Sequence, residues 1–279
     1  MNMRIVSTID ETRNARLILD GTVGFVPTMG FLHAGHLALI RRARDECRHV
    51  IVSIFVNPAQ FNPNEDLAKY PRDLKRDFRL IEPFTDLVWT PTPEIMYPQG
   101  YQTWVEVEAL TSPLEGAARA GHFRGVTTVV AKLFNVTQPT KAYFGQKDAQ
   151  QAAVVRRMVR DLNFPIEIVV CPIVREADGL AMSSRNVYLN AEQRKAATVL
   201  FRSLSAAKEL YEAGERDAEK LRAKMKAVLA SEPLAKPQYV SCADYDTLDE
   251  LTAIKGKALL SMAVVIGKTR LIDNFVLAG

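Results

Sequence analysis

The sequence predicts an α/β protein, a mostly parallel sheet flanked by helices and followed by a smaller α+β domain. Three observations carry this. Short apolar runs alternate with helix-period segments through the first two thirds of the 279 residues. The pattern changes after Pro172, and the residues with the most chemistry to offer follow the apolar runs. Residues 23–26, 50–56, 86–90, 141–144 and 166–170 read as buried strands, and residues 37–47, 72–81, 126–136 and 149–162 as the helices between them. In residues 37–47 the stripe is Leu37, Ile40, Ala43 and Cys47, which lie on one face of a helix. Strand–helix–strand alternation of this kind builds right-handed crossovers on a parallel sheet.

The first domain, residues 1–174, is therefore expected to be Rossmann-like. The second, residues 175–279, is expected to be a smaller α+β lid. Its first helix shows Ala196, Leu200, Leu204, Ala207 and Tyr211 on one stripe, and its second Leu221, Met225, Val228 and Leu229. Residues 239–245 read as a strand, and 258–266 with 270–277 as a hairpin turning at Gly267-Lys268. These stripes read as core packing.

Composition narrows the function. Apolar residues at 48% and charged residues at 24% are ordinary globular values. The net charge of +4 comes without a basic block interleaved with aromatics. That speaks against nucleic acid and suits a small anionic substrate. Three scattered cysteines, Cys47, Cys171 and Cys242, lack both disulfide and zinc spacing and point to a reducing compartment. Residues 1–20 lack an apolar signal core, and no window approaches the ~20 apolar residues of a membrane span. The expectation is a cytoplasmic protein that meets no membrane.

The most informative stretch is Pro27-Thr28-Met29-Gly30-Phe31-Leu32-His33-Ala34-Gly35-His36. It places two histidines at a strand-to-helix turn, where unpaired backbone N–H groups and the helix dipole favour an anion such as phosphate. Gly35 allows close backbone approach. A bare His-x-x-His is more often a cap or a partly buried polar pair, so the surrounding strand and glycines matter. Gly145-Gln146-Lys147-Asp148 falls after the fourth run, with Lys147 a point charge for phosphate. Asp148 is equally readable as a helix N-cap. Ser183-Ser184-Arg185 offers two hydroxyls and a guanidinium for phosphate, or is an ordinary polar loop. All these stretches, with Asn57-Pro58-Ala59-Gln60-Phe61, belong to the carboxyl ends of strands or to the second domain. In open α/β sheets that edge binds ligands.

The His-x-Gly-His pattern after a first strand resembles the nucleotidylyltransferase superfamily. The longer Pro-Thr-Met-Gly-x-Leu-His-x-Gly-His string resembles the pantothenate synthetase (pantoate–β-alanine ligase) family. Asn57–Phe61, Tyr70-Pro71-Arg72, residues 121–126, residues 145–151 and Met182-Ser183-Ser184-Arg185-Asn186 are similar to that family in the same order. The resemblance implies ATP contacts at Met29, Gly30, Phe31, Leu32, His33, Ala34, Gly35 and His36. It adds Gly145, Gln146, Lys147, Asp148, Val174, Met182, Ser183, Ser184 and Arg185. Pantoate would be held by Gln60 and Gln151 against Val126, Val129 and Val130, with Gln60 also near β-alanine. His36, His33, Lys147 and Arg185 would be catalytic. ATP would be a substrate with Mg²⁺, and the protein a homodimer through its first domain.

One departure stands out. The family usually carries an acidic pair after Tyr-Pro-Arg, associated with Mg²⁺, whereas this chain reads Arg76-Asp77. Asp77 is left as the carboxylate for the metal, and Mg²⁺ is expected to be held largely by ATP phosphates and water. The implied reaction is amide formation through an acyl adenylate, with no protein nucleophile. Two other readings stand beside it. One is a superfamily enzyme acting on a phosphate ester or a tRNA. The other is a nucleotide- or nucleic-acid-binding module without turnover.

Overall fold

The computed structural model describes residues 3–63 and 65–278. It divides into two compact units. The first comprises the chain up to Thr111, Arg119–Gly145 and Gln151–Pro172; the second comprises Ser112–Ala118, Gln146–Gln150 and the chain from Ile173 on.

Six strands form the sheet of the first unit: β1 (Arg4–Val6), β2 (Val23–Thr28), β3 (His49–Ile54), β4 (Leu87–Trp89), β5 (Lys141–Gly145) and β6 (Glu167–Cys171). Their order is β1-β4-β3-β2-β5-β6, every pair parallel. The Rossmann-like expectation is met, and five of the six strands lie where the apolar runs placed them. Neighbouring strand residues face opposite ways. Phe25, Ile51 and Trp89 enter one core cluster, and Val26, Val52 and Val88 another. The helices follow in order: α1 (Ile9–Leu17), α2 (Ala34–Glu46), α3 (Leu74–Ile81), α4 (Pro93–Met96), α5 (Glu115–Ala118, second unit), α6 (His122–Thr137) and α7 (Ala149–Asp161). α6 buries against the first cluster, α2 and α3 against the second.

The strand order places a topological switch between β2 and β5. From β2 the chain steps outward to β3 and β4, and later returns to β5 on the other side of β2. Ligands of open α/β sheets bind beyond the carboxyl ends at such a point. The turn after β2 carries the histidine pair, and the chain leaving β5 carries Lys147.

Sequence periodicity missed β1 and α1. β1 is three residues long, too short to show a period. α1 buries only Thr12 and Ala15, so it lacks an apolar stripe. Its legible signal is the capping box, in which Thr8 accepts from the Glu11 N–H and Glu11 reaches back to the Thr8 N–H.

The second unit holds the antiparallel sheet β7 (Ala235–Asp244), β8 (Ala258–Ile266) and β9 (Thr269–Leu277) with α8 (Ala191–Ala196), α9 (Val199–Glu212) and α10 (Ala218–Ala230). The hairpin turns at Gly267-Lys268, where Gly267 has φ +62. Leu200, Leu204, Leu221 and Met225 share one core with Leu260 and Met262, so the helical stripes are packing. The stray segment Ser112–Ala118 is tied in by Glu115. Its carboxylate accepts two bonds of 2.7 Å from Arg270 and one of 2.9 Å from the Tyr239 hydroxyl.

Candidate active site

In the first unit, the β2–α2 turn organises both histidines. His33 is the N-cap of α2, and its Nδ1 accepts the Gly35 N–H at 3.1 Å. His36 Nδ1 accepts the His33 N–H at 3.3 Å, so the two rings close a capping box usually made by Ser/Thr and Glu/Gln. The structural alternative for the pair is thus real, and it fixes the chemistry too. A ring nitrogen that accepts cannot carry the proton, so each neutral imidazole keeps its hydrogen on Nε2. The ring centroids are 4.0 Å apart. Two Nε2–H donors are thereby grouped at a helix N-terminus.

The segment before them is pinned from below. Asp77, on α3, accepts from Phe31 N at 2.7 Å and Leu32 N at 2.8 Å. Burial pushes its carboxyl above the usual range, opposed by these two donors and by Arg76. Gly30 and Leu32 are buried and Phe31 half-buried, while Ala34 is exposed.

Gln60 follows β3 in a 3-10 turn, Pro58–Gln60, capped by Asn57. Asn57 Nδ2 donates to Gln60 Oε1 at 3.0 Å and to the Gly125 carbonyl at 3.1 Å, and the Tyr97 hydroxyl donates to Asn57 Oδ1 at 2.8 Å. Gln60 Nε2 reaches Met29 Sδ at 3.2 Å, which joins this turn to the histidine turn. Val126, Val129 and Val130 lie at helical spacing on one face of α6 and are buried. Gln151 lies half-buried in the first turn of α7.

In the second unit, Gln146–Asp148 forms a 3-10 turn that runs straight into α7. Lys147 Nζ stands 3.6 Å from Asp148 Oδ1. Three bonds from Asn274, on β9, hold this turn: its Nδ2 donates to the carbonyls of Gln146 (2.9 Å) and Lys147 (3.0 Å), and its Oδ1 accepts from Gln146 Nε2 at 3.0 Å. Its neighbour Asp273 takes two bonds from Arg175, at 2.7 and 2.9 Å. Arg175 opens a narrow hairpin in which Met182 N bonds the Val174 carbonyl and residue 175 bridges to 181. Ser183 then caps a 3-10 turn, Ser184–Tyr188, by accepting the Arg185 N–H at 3.2 Å. Two adjacent residues of one strand therefore anchor both the Lys147 turn and the hairpin that leads into Ser183–Arg185.

A profile described as Pantoate-beta-alanine ligase matches residues 4–276. The chain belongs to that family. A pantothenate synthetase of Roseiflexus castenholzii is 62% identical over 276 residues, 99% of both chains. The crystal structure of pantothenate synthetase from Thermus thermophilus superposes with a TM-score of 0.94 at 50% identity, covering 98% of this chain and 99% of that one. A pantoate-beta-alanine ligase from Francisella tularensis, described as complexed with beta-gamma ATP and beta-alanine, gives a TM-score of 0.80 at 36% identity over 98% and 97% of the two chains.

Within this ligase framework, Asp273 and Asn274 lie outside every motif read in the sequence, while Asn57 and Gly125 lie inside motifs that gave them no role of their own. Gly125 was legible as part of the family string, but its reason lies in space. A Cβ there would stand 2.2 Å from the Ala59 carbonyl oxygen and 2.7 Å from the Gln60 nitrogen. We expect Gly125→Ala to displace the Gln60 turn, with about 1–3 kcal/mol of lost stability from overpacking. A raised KM for pantoate in steady-state assays, with a lowered thermal midpoint, is the expected result.

Proposed function

We propose that this protein condenses pantoate with β-alanine to pantothenate at the expense of ATP. A pantoate carboxylate oxygen attacks the α-phosphorus as the bond to pyrophosphate breaks, giving pantoyl adenylate. The β-alanine amine then attacks the acyl carbon, the C–N bond forms, the amine loses a proton and AMP leaves. The observation that carries this reading is the pair of Nε2–H donors at the α2 N-terminus, beside the β2–β5 switch point.

The residues assigned to ATP come from both units: Met29 and Gly30–His36 from the first, Gln146–Asp148, Val174 and Met182–Arg185 from the second, with Gly145 ending β5. His33, His36, Lys147 and Arg185 offset charge on the α-phosphate and the leaving pyrophosphate, and His36 donates a hydrogen bond to pyrophosphate through its Nε2–H. Gln60 and Gln151 bind pantoate against Val126, Val129 and Val130, and Gln60 also faces β-alanine. The second unit acts as the lid that keeps water from the adenylate.

Mg²⁺ bound to the triphosphate would supply charge neutralisation there, held largely by phosphate oxygens and water. Among the described residues no group of three or more His, Cys, Asp or Glu is placed to hold a metal ion. Among the described residues no helix is long and apolar enough to cross a membrane, and Cys47, Cys171 and Cys242 are buried free thiols. The free thiols suit a reducing compartment such as the cytoplasm, and the family resemblance suggests a homodimer.

The deciding assay supplies ATP and Mg²⁺ with pantoate, β-alanine or both. Pyrophosphate release that needs only pantoate, and AMP release that needs both, is the expected pattern. AMP formation that ignores β-alanine would remove the ligase assignment.

A further inference from the structure

The turn that carries the histidine pair is built around a buried carboxylate to which the reaction above gives no part. Gly30 and Phe31 both have positive φ, +81 and +49. This turn aims the successive Phe31 and Leu32 N–H groups into one concavity, the kind of nest that binds anions. Here the anion is the protein's own. Asp77 Oδ2 takes Phe31 N–H at 2.7 Å and Oδ1 takes Leu32 N–H at 2.8 Å. The turn is pressed down on it: a Cβ on Gly30 would stand 2.9 Å from Ile54 Cγ2 and 3.2 Å from Asp77 Oδ2. Phe31 is not a residue that adopts positive φ without cause, and the two charge-assisted bonds supply one.

The same surroundings do not fit a metal ligand. The Asp77 side chain is wholly buried, and the guanidinium of Arg76 stands 3.5 Å from Oδ1. Mg²⁺ demands near-octahedral oxygen ligands at about 2.0–2.1 Å and keeps several waters. Around Asp77 the donors are two N–H groups and a cation, and no face of the side chain is open to water. The residue beside Asp77 is a positive charge, Arg76, which stacks over Phe31 at 5.3 Å from the ring centroid.

We infer that Asp77 is a positioning residue that fills the Phe31–Leu32 nest, sets the entry into α2 and so aims His33 and His36, and that it does not ligate Mg²⁺. Its bonds end one residue before the N-cap, so the direction of the first helical turn follows from them. Because the nest is already filled, a triphosphate meets the helix end beyond it, at the Gly35 and His36 side. This inference rests on the assignment of the histidine turn to ATP.

The test is Asp77→Asn. An amide offers one acceptor, and its NH₂ group faces the second backbone N–H. The kcat is expected to fall about 10²-fold, the loss that follows a misplacement near 1 Å, while the half-saturating Mg²⁺ concentration stays at the wild-type value. Amide exchange at Phe31 and Leu32 should quicken, with β2 still protected. A raised Mg²⁺ requirement with activity restored at high Mg²⁺ would overturn the inference in favour of metal ligation, and an unchanged kcat would overturn it outright. Should the variant not fold, the wild type decides. Mn²⁺ added without nucleotide is expected to leave the Phe31 and Leu32 amide signals sharp, and selective broadening there refutes the proposal. Full activity in Asp77→Asn alongside an inactive His36→Gln sinks this inference alone; full activity in both sinks the ATP assignment.

Discussion

Replacing His36 by alanine is expected to slow pantoate-dependent pyrophosphate release about 10²–10³-fold, roughly 3–4 kcal/mol of transition-state stabilisation. The difficulty with this variant is that His36 also works for the fold, because its Nδ1 accepts the His33 N–H and closes the α2 capping box. Losing that contact costs on the order of 1 kcal/mol of stability and loosens the turn. His36→Gln separates the two roles. Glutamine at this third helical position reaches back to the N-cap N–H, as in the common capping box, but brings no imidazole. If His36 serves chemistry, His36→Gln melts near the wild-type temperature and stays as slow as His36→Ala. Recovery of adenylation by the glutamine variant would reduce His36 to a cap and remove it from the mechanism. The measurement is pyrophosphate release under saturating ATP and pantoate, read with the thermal midpoint of each variant.

The split between what was legible in the chain and what was not follows the range of the interactions. The histidine turn, the Gln60 turn and the Lys147 turn could be found because each follows an apolar run and is read within ten residues. The strands β2 to β4 could be found because near-complete burial makes continuous apolar stretches, and β5 and β6, less fully buried, still read as apolar runs. β1 and α1 escaped because one is too short and the other too polar to show a period. Helix ends shifted where caps decide them. α3 begins at Leu74, not at residue 72, because Asp73 accepts the Arg76 N–H at 3.0 Å. α6 begins at His122, ahead of its apolar stripe. The supports of the site were beyond reach for a different reason. Asp77 bonds residues 45 and 46 positions away, and Asn274 bonds turns 127 and 128 positions away. No local pattern marks such partners, and as a lone carboxylate Asp77 read more readily as a metal ligand than as the filler of a backbone nest.

The largest stability effect is expected at one of those unreadable supports. Asp273→Ala should destabilise the second unit by about 3–5 kcal/mol, the usual result of removing one partner from a buried ion pair. The Asp273 side chain is 1% exposed and that of Arg175 is 17% exposed, so the guanidinium left behind would have little water to turn to. Burial pushes the Asp273 carboxyl up, and the bidentate Arg175 holds it down; removing the acid therefore strands a cation against the rings of Phe201 and Phe275, 4.9 and 5.0 Å from their centroids. The charge itself is not what the fold requires. Apolar replacement of both partners at once, Arg175→Met with Asp273→Leu, is expected to cost less than Asp273→Ala alone. Denaturant midpoints for the two singles and the double complete the cycle, and additive losses would show that the pair is not coupled. The functional consequence runs along β9. Asp273 Oδ1 accepts the Asn274 N–H at 2.7 Å, and Asn274 in turn holds the Gln146 and Lys147 carbonyls. Folded Asp273→Ala protein should therefore bind ATP more weakly than wild type, even though no atom of Asp273 is assigned to the nucleotide.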